Sequence, residues 1–404
     1  MAGPARTPHI LIAGGGIGGL TAALALLQRG FEVTVFEQAA ALREVGAGVQ
    51  ISANGVRVLA ALGVAEALAA LSCEAAGKEI RLWNSGQTWK LFDLGAQSVA
   101  RYGFPYYTVF RPDLLGVLAE AVRRLHPGAL RLGVRVDGFT QEGGRVTIRC
   151  ADAGTATGDA LVGADGIHSR VRHTLFGADA AAFTGLIAWR GVIPIARLPS
   201  HMRRFVGVNW VGPGRHVVQY PLRRGALMNF VGIVERRDWQ VESWTARGTP
   251  AELAADFAGW HDDVQAMIAA IAAPHKWALM QRAPLARWSA GHVTLLGDAC
   301  HPMLPMMAQG AVQAIEDGYV LARTLADAAG DVPAAFHRYE RARQDRTARL
   351  VHLSAGNAQR FHNPLLADPA GAQGYIDHEW AEARVHARYD WLFRHDAVAG
   401  PLPA

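Results

Sequence analysis

Three glycines at a fixed spacing, Gly14, Gly16 and Gly19, follow a run of four apolar residues at 10–13. Apolar residues then recur at helical spacing until Gly30, which favours a strand, a tight turn and a helix in succession. Glycine lets the chain turn sharply and approach a pyrophosphate closely, and the helix N-terminus offers unpaired N–H groups to its charge. The segment therefore predicts a Rossmann-like dinucleotide-binding unit.

The second predicted strand of this unit, residues 32–36, is followed by an acidic residue, Glu37. A carboxylate at this position accepts a hydrogen bond from a ribose hydroxyl, and it favours a free 2′-hydroxyl over a 2′-phosphate. The predicted dinucleotide contacts of the unit are Gly14, Gly16, Ile17, Gly18, Gly19, Glu37 and Gln38.

Two segments that combine glycine with aspartate, much further along the chain, indicate which dinucleotide the unit binds. Asp165 lies in Gly-Ala-Asp-Gly at 163–166, and Asp298 follows Gly297 where a predicted buried strand ends. In this order, and together with Arg111 at the head of Arg-Pro-Asp-Leu, the segments resemble those of the single-component FAD-dependent aromatic hydroxylases. The resemblance covers residues 8–330 and points to the salicylate hydroxylase and 3-hydroxybenzoate 6-hydroxylase branch.

The resemblance implies an α/β fold of the p-hydroxybenzoate-hydroxylase type. Such a fold has a Rossmann-like FAD-binding domain, an inserted sheet-rich substrate domain and C-terminal helices. Strand and helix patterns predict a discontinuous FAD-binding domain (1–75, 100–177 and 281–330), a substrate-binding domain (76–99 and 178–280) and a helical region (331–404). Helices are predicted at 56–68, 112–125, 250–270 and 308–325, a strand at 130–136, and short strands over 79–108.

The family's cofactor contacts carry over residue by residue. The arginine that matches Arg111 reaches the ribityl or phosphate region, and the aspartate that matches Asp298 accepts hydrogen bonds from ribityl hydroxyls. Backbone N–H groups at 309–312 would stabilise the anionic reduced flavin. The other implied contacts are Arg43, Val49, Val134, Asp165, Gly310 and Ala311. An ion pair at a helix start for Arg111, and packing between domains for Asp165, are the structural alternatives.

The candidate catalytic pair is His216 and Tyr220, which lie four residues apart on a predicted strand and therefore share a face. The resembling hydroxylases place a histidine and a tyrosine at this spacing over the flavin, where they bind or deprotonate the substrate phenol. Histidine titrates near neutral pH and suits this proton transfer. An amphipathic strand whose polar face meets solvent is the structural alternative.

Three other residues near these motifs admit two interpretations each, and a fourth admits one. Gln50 and Trp189 either line the substrate pocket or belong to the core. His301 either lies near the flavin ring or caps the turn before the next helix, and Cys300 is interpreted as a small buried filler. Methionines at 303, 306 and 307 would form an apolar, adaptable wall.

The implied activity is hydroxylation of a small hydroxylated aromatic acid, such as salicylate or 3-hydroxybenzoate, with O2 and transiently bound NADH or NADPH, through a flavin C4a-hydroperoxide. Pro305 stands where the 3-hydroxybenzoate 6-hydroxylase pattern has glutamine, so the ring position stays open. A heteroaromatic or larger substrate, and a flavin-binding redox module without hydroxylation, are alternatives. A flavin halogenase is disfavoured, because Gly191 replaces the second tryptophan of the halogenase W-x-W-x-I-P motif.

Composition argues against other classes of protein. The net charge is +5, but only three basic residues are lysines (Lys78, Lys90 and Lys276) and the arginines are scattered, which indicates a solvated basic surface and no nucleic-acid site. Three cysteines without a C-x-x-C pair indicate neither a disulfide framework nor a zinc site and favour a reducing cytoplasm. We predict no bound metal, signal peptide or membrane span, and either a monomer or a homodimer.

Overall fold

The dinucleotide-binding unit forms where the first glycine loop predicts it. The computed structural model describes residues 7–42, 47–151, 153–178, 181–239, 241 and 246–403. β1 (His9–Ala13) leads through the glycine loop into α1 (Ile17–Leu27), and β2 (Glu32–Glu37) returns to pair with β1 in parallel. Gly14 has a φ of +107°, and a Cβ there would lie 2.3 Å from the carbonyl oxygen of Ala164, so this position requires glycine.

The other strands complete four sheets within the described residues. They are β3 (Gly48–Ile51), β4 (Cys73–Glu74), β5 (Gly77–Leu82), β6 (Thr88–Asp93), β7 (Tyr107–Phe110), β8 (Leu130–Leu132), β9 (Val136–Glu142), β10 (Arg145–Cys150), β11 (Gly154–Gly158), β12 (Ala160–Gly163), β13 (Ala182–Pro194), β14 (Val206–Gly212), β15 (Arg215–Leu222), β16 (Leu227–Glu235), β17 (His275–Gln281), β18 (Ser289–Ala290) and β19 (Val293–Leu295). The first sheet has the order β18-β19-β12-β1-β2-β8 and is parallel except at β18. The second has the order β17-β13-β16-β15-β14-β5-β6, and the two small sheets are β11-β10-β9 and β3-β7-β4.

The seven-stranded sheet is covered on both faces. On one face Val217 of β15 packs in a cluster with Phe230 and Phe257. On the other face, residues such as Ile233 belong to a cluster with Phe361 and other residues of the C-terminal helices. Because both faces are covered, most residues of β15 are buried, and the polar side chains among them stand out as candidates for function.

The remaining helices largely follow the sequence pattern. They are α2 (Ala53–Ala61), α3 (Ala65–Ala69), α4 (Ala96–Tyr102), α5 (Arg111–Leu125), α6 (Arg170–Phe176), α7 (Pro250–Asp256), α8 (Asp262–Ala269), α9 (Gly310–Asp327), α10 (Val332–Phe361), α11 (Pro369–Glu379) and α12 (Glu382–Phe393). The helix predicted at 56–68 is divided between α2 and α3, because Gly63 has a φ of +73°. The helix predicted at 250–270 and the strand predicted at 130–136 are likewise interrupted, at Gly259 (φ +78°) and Gly133 (φ +72°). The segment 79–108 also contains a helix, α4, which the pattern of short strands did not predict.

Two helices approach closely enough to present their N-termini together. A Cβ on Gly18 of α1 would lie 3.1 Å from that of Ala314, and a Cβ on Gly318 would lie 2.7 Å from the backbone nitrogen of Ala22. The contacts advance in the same direction along both chains, so α1 and α9 are parallel. Their positive ends therefore lie at the same end of the molecule.

Among the helices named above, none is long and apolar enough to cross a bilayer. Within the same described residues, no group of three histidine, cysteine, aspartate or glutamate side chains is placed to hold a metal ion.

Candidate active site

The three sequence segments that carry the resemblance meet at one edge of the parallel sheet. Gly14 follows β1, Asp165 follows β12, and Asp298 lies just beyond β19. The backbone N–H of Ala164 donates to Ala13 over 2.8 Å, and that of Leu296 donates to Gly163 over 2.9 Å. Carboxyl ends of parallel strands form the binding edge of such sheets, so the segments define a single cleft.

The glycine loop leaves space for a phosphate in front of α1. A Cβ on Gly19 would lie 2.0 Å from the carbonyl oxygen of Gly14, and one on Gly18 would lie 2.4 Å from the Leu296 side chain, so both are packing positions. A Cβ on Gly16, which immediately precedes Ile17, would meet no atom within 4 Å. The backbone is therefore bare on the cleft side, where a pyrophosphate could approach the helix N-terminus.

Glu37 is fixed beside the loop by backbone donors. Its carboxylate accepts hydrogen bonds from the N–H groups of Gly15 (2.7 Å) and Ala39 (2.8 Å). A cavity of about 350 Å³ adjoins it, lined by Gln38, Ala39, Gly133, Arg135 and Ala151. Val134, between two of these residues, donates its N–H to the carbonyl of Glu37 over 2.9 Å. This end of the cleft has the size and position for an adenosine, while Arg43 falls outside the described residues.

Asp298 lies in a recess of the same cleft, at the start of α9. Its side chain meets solvent, yet the surrounding protein raises the pKa of its carboxyl group by burial, against the opposing charges of His301 and Arg111. A Cβ on Gly310 would lie 3.9 Å from Oδ1 of Asp298. The first backbone N–H groups of an α-helix have no partner within the helix, so Gly310 and Ala311 can offer theirs to a ligand here.

Asp165 has a structural role that accounts for both of its oxygens. The hydroxyl of Ser169 donates to Oδ1 over 2.5 Å, and the N–H groups of Arg170 and Val171 donate to Oδ2. The side chain thus anchors the start of α6, a local role that is distinct from the predicted packing between domains. Contact of its backbone with the cofactor stays a prediction.

Buried charges hold the Asp298 loop in place. Asp317 accepts hydrogen bonds from the N–H of Gly297 (3.1 Å), Nε2 of His301 (2.6 Å) and Nε of Arg343 (2.7 Å). Burial alone would raise the pKa of Asp317, but His301 and Arg343 outweigh it and lower the pKa. The carboxylate therefore stays ionised and ties the loop to α9 and α10. His301 accordingly fixes the turn, which is the structural one of its two interpretations.

Cys300 also belongs to this packed turn. It is 1 % exposed, and its thiol donates to the carbonyl of Gly297 over 3.3 Å. Burial raises the pKa of the thiol well above its usual range, so no reactive thiolate is available.

Replacing Cys300 with alanine should leave most of the turnover, because the thiol is protonated and packs as a small apolar group. Steady-state NAD(P)H oxidation and product formation by the FAD-loaded variant give the measurement. A loss of turnover beyond about a hundredfold, roughly 2.7 kcal/mol of barrier, with FAD still bound would contradict this assignment.

Replacing Asp298 with asparagine should weaken FAD binding by about fivefold, since a hydrogen bond to a charged acceptor contributes roughly 1 kcal/mol more than a neutral one. Fluorescence titration of the apoprotein with FAD measures the change. Asp327→Asn is the control, because this carboxylate is 53 % exposed at the far end of α9. Equal affinities of Asp298→Asn and the control would exclude a contact between Asp298 and FAD.

The predicted catalytic pair lies on one face of the seven-stranded sheet, beside the cofactor cleft. His216 pairs with Ile233 and Tyr220 with Asn229 in the register of β15 and β16. A Cβ on Gly48 would lie 2.5 Å from Cε2 and 2.8 Å from the hydroxyl of Tyr220. Gly48 directly precedes Val49, the residue predicted beside the flavin, so Tyr220 packs against the strand that carries Val49. Both side chains are buried, which argues against a solvent-facing strand.

Sequence reasoning missed a polar cluster around Tyr220. Nζ of Lys78 donates to the hydroxyl of Tyr106 over 2.9 Å, and that hydroxyl donates to Oε1 of Gln50 over 2.9 Å. Burial raises the pKa of Tyr220, against the smaller effects of nearby Arg190, Asn229 and Gln50. These residues come from five separate regions of the chain, and only the packing of the whole chain brings them together. Gln50 thus belongs to this polar cluster, and its place in a substrate pocket stays a prediction.

Arg190 and Lys78 supply positive charge on this face. The Arg190 guanidinium is 4.2 Å from the ring centroid of Trp277 and lies close enough to Tyr220 to affect its pKa. Burial lowers the pKa of Lys78 to about 7. Trp189, by contrast, packs in the opposite cluster, where its indole N–H donates to Asp256 over 2.7 Å, so it belongs to the core.

Gly191 has no room for the tryptophan of the halogenase motif. A Cβ there would lie 2.6 Å from Cδ1 and 2.7 Å from Cγ1 of Ile271. The packing around Gly191 therefore excludes the second tryptophan of the halogenase motif.

His216 is bonded to a residue that the motifs did not include. Its Nδ1 lies 2.6 Å from Nε2 of His362, just beyond the end of α10. Burial lowers the pKa of His216 well below its usual range, and His362 lowers it further. His216 is therefore neutral near pH 7 and can accept a proton. The residues lie 146 positions apart, so no local pattern signals the contact.

Together, the cleft, the two helix N-termini and the adjoining polar sheet face are typical of a flavin-dependent oxidoreductase. A family model described as "FAD binding domain" matches residues 7–354. The chain belongs to this family, and FAD, the cofactor predicted from the sequence, is confirmed.

Comparisons with individual proteins confirm the enzyme class. The chain is 40 % identical over 391 residues to a 3-amino-4-hydroxybenzoate 2-monooxygenase of Streptomyces platensis, covering 97 % of both chains. It is 35 % identical over 373 residues to a 6-hydroxynicotinate 3-monooxygenase of Pseudomonas fluorescens, covering 92 % of this chain and 95 % of the other. The solved structure of a salicylate hydroxylase substrate complex matches 98 % of this chain and 97 % of its own, with 26 % identity and a TM-score of 0.80. The predicted fold class and the assignment as a flavoprotein monooxygenase are thereby confirmed.

Proposed function

We propose that the protein hydroxylates a small aromatic acid that carries a ring hydroxyl group, with O2 and with NADH or NADPH as the reductant. The observation that carries this proposal is the position of His216 and Tyr220 on one buried sheet face, with Tyr220 packed against Gly48 at the flavin end of the cleft. The substrates named for the three similar proteins each combine a carboxylate with a ring hydroxyl group.

The carboxylate of the substrate would lie toward the positive charges on the sheet face. Arg190 is always charged, and its planar guanidinium matches a carboxylate. Lys78 has a pKa of about 7, and a carboxylate brought near its ammonium group would favour the charged form. Binding of an aromatic acid would therefore compensate a buried cation as well as orient the ring.

The hydroxyl group of the substrate would lie toward His216. A phenol has a pKa of about 10, so removal of its proton near neutral pH needs a base in contact with it. His216 is neutral because burial lowers its pKa, and it can take the proton at Nε2. The phenolate that results is more electron-rich and more easily attacked by an electrophilic oxygen. Tyr220 would hold the same oxygen by a hydrogen bond.

The remaining residues would position the cofactor and exclude water. When it is bound, FAD would carry the reducing equivalents of NAD(P)H to O2 and activate the oxygen. The cleft would hold it through the loop at Gly16, through Glu37 and Asp298, and through the N–H groups of Gly310 and Ala311. Leu304, Met306 and Met307 pack with the C-terminal helices over the sheet face and keep it dry. Contacts of FAD with Arg43, Gln38, Arg111, Val134 and Asp165 complete the proposal.

The domain division, the cellular setting and the assembly are also part of the proposal. The sheets support the predicted division into domains, since the seven-stranded sheet joins residues 77–93 to 182–281. All three cysteines are free and buried, which supports a reducing, cytoplasmic setting. We propose a monomer or a homodimer.

A panel of aromatic acids tests the proposed function. FAD-loaded protein is mixed with 3-amino-4-hydroxybenzoate, 6-hydroxynicotinate, salicylate or 3-hydroxybenzoate, each with NADH and with NADPH. We expect at least one acid to accelerate NAD(P)H oxidation and to gain an oxygen atom from ¹⁸O2, detected by mass spectrometry. Benzoate, which lacks the ring hydroxyl group, is the matched control. Acceleration without oxygen incorporation by any acid would favour a redox module instead.

A further inference from the structure

A chain of three side chains leads from His216 to the surface. Nδ1 of His216 lies 2.6 Å from Nε2 of His362, and Nδ1 of His362 lies 2.9 Å from Oε1 of Glu235. His216 is 0 % exposed and the His362 side chain 1 %, while the Glu235 side chain is 58 % exposed. The far end of this chain is therefore in solvent, although its near end is shielded from water.

Backbone contacts keep these side chains aligned. The N–H of Gly214 donates to the carbonyl of His362 over 3.2 Å, and the N–H of Glu235 donates to the carbonyl of Gly214 over 3.0 Å. The turn before β15, the end of β16 and the end of α10 are thus tied at one point. The ring of Phe361 covers His216, with 5.0 Å between the ring centroids.

The hydrogen-bonding roles of Glu235, His362 and His216 determine which ring nitrogens of the two histidines carry protons. An ionised carboxylate only accepts hydrogen bonds, so Nδ1 of His362 carries a proton and donates it to Glu235. In neutral His362, Nε2 is then the acceptor, and Nδ1 of His216 must donate to it. This leaves a lone pair on Nε2 of His216, and that atom is buried without a hydrogen-bond partner among the described residues. Buried polar atoms normally have a hydrogen-bond partner, so Nε2 of His216 is expected to accept a hydrogen bond from a bound ligand.

We propose that His362 and Glu235 form a proton relay that carries the proton of the substrate hydroxyl group from His216 to solvent; this rests on the proposed function. As Nε2 of His216 takes the proton, its Nδ1 proton passes to Nε2 of His362. The Nδ1 proton of His362 then passes to the Glu235 carboxylate, which releases it to water. A proton leaves for each one accepted, so neither buried histidine has to remain charged.

The outer end of the relay opens into a cavity. Glu235 lines a space of about 440 Å³, together with Arg236, Arg237, Leu304 and Gln359. Arg236 is committed to Asp238 and Asp256, so it does not compete with His362 for the carboxylate. His362 and Glu235 act through His216 and touch no substrate in this arrangement, which makes them positioning residues.

The tautomers of the two histidines test the relay without any substrate. Nitrogen NMR of FAD-loaded protein labelled at histidine should show both His216 and His362 protonated at Nδ1 and not at Nε2. His216→Gln and His362→Gln assign the two signals. A proton on Nε2 of either ring at neutral pH would overturn the proposal, whatever the substrate of the enzyme is.

Proton release on substrate binding tests the transfer itself. FAD-loaded protein is mixed in weak buffer with a pH indicator and the best acid from the panel. Glu235→Gln keeps an acceptor for His362 but holds no proton, so we expect release to slow about tenfold or more relative to the wild type. His362→Gln should slow it similarly. Glu382→Gln is the matched control, since Glu382 is 90 % exposed and lies 3.3 Å from another histidine, His386.

The outcomes separate the two proposals. If no acid accelerates NAD(P)H oxidation by the wild type, the proposed function fails and the NMR result alone decides the relay. If an acid is hydroxylated but Glu235→Gln and His362→Gln both release the proton at the wild-type rate, the relay is excluded and the proposed function stands.

Discussion

Replacing Gly16 with valine should give a folded but colourless protein that binds FAD at least about a hundredfold more weakly, a loss of roughly 2.8 kcal/mol. The space in front of the Gly16 Cβ position holds no protein atom within 4 Å, and the two valine methyl groups would occupy it. That space is where we propose that the pyrophosphate approaches the N-terminus of α1. Flavin absorbance after purification, and titration of the apoprotein with FAD, measure the effect.

The backbone at Gly16 allows this test to be interpreted. Its φ of −73° and ψ of −175° are extended values that valine adopts readily, so the substitution adds no backbone strain. Gly116→Val is the matched control, because a Cβ at Gly116 also meets no atom within 4 Å but lies on the exposed side of α5. If Gly16→Val retains the affinity of the control for FAD, the cleft has been assigned to the wrong ligand.

The dinucleotide-binding part of the site could be predicted because its requirements are local. A tight turn needs glycine at Gly14, and the acidic residue that ends β2 follows from a short strand pattern. Asp298 was found in the same way, from its place after a buried strand. Each of these patterns spans only a few residues, so it can be recognised without knowledge of the fold.

On the predicted substrate side of the site, the sequence could place together only residues that lie on the same strand. His216 and Tyr220 share β15, and strand alternation places them on one face. Lys78 lies on the same face of the sheet because β5 pairs in parallel with β14, and His362 follows the end of a 30-residue helix. Contacts between distant segments depend on the packing of the whole chain, and no pattern of neighbouring residues in the sequence indicates them.

His216→Ala should still bind FAD and oxidise NAD(P)H in response to an aromatic acid, but its rate of ring hydroxylation should fall by about 10²–10⁴-fold. Without the base the substrate keeps its proton, its ring is less reactive, and the activated oxygen leaves as hydrogen peroxide. Product formed per NAD(P)H oxidised, with peroxide measured in parallel, gives the result. His386→Ala is the control, since this histidine is partly exposed and bonded to Asp390 on α12.

Tyr220→Phe should be milder, because it removes one hydrogen bond, worth about 0.5–1.5 kcal/mol, and keeps the ring. The pH dependence separates the two roles. Since the pKa of His216 is lowered by burial, its neutral form persists into acid, and the wild-type yield per NAD(P)H should stay level between about pH 8 and 6.5, falling only at lower pH. In His216→Ala the ionisation of the substrate itself takes over, so the yield should rise toward alkaline pH. If both variants keep the wild-type yield at every pH, the pair is structural, and Lys78, with its pKa of about 7, becomes the group to test.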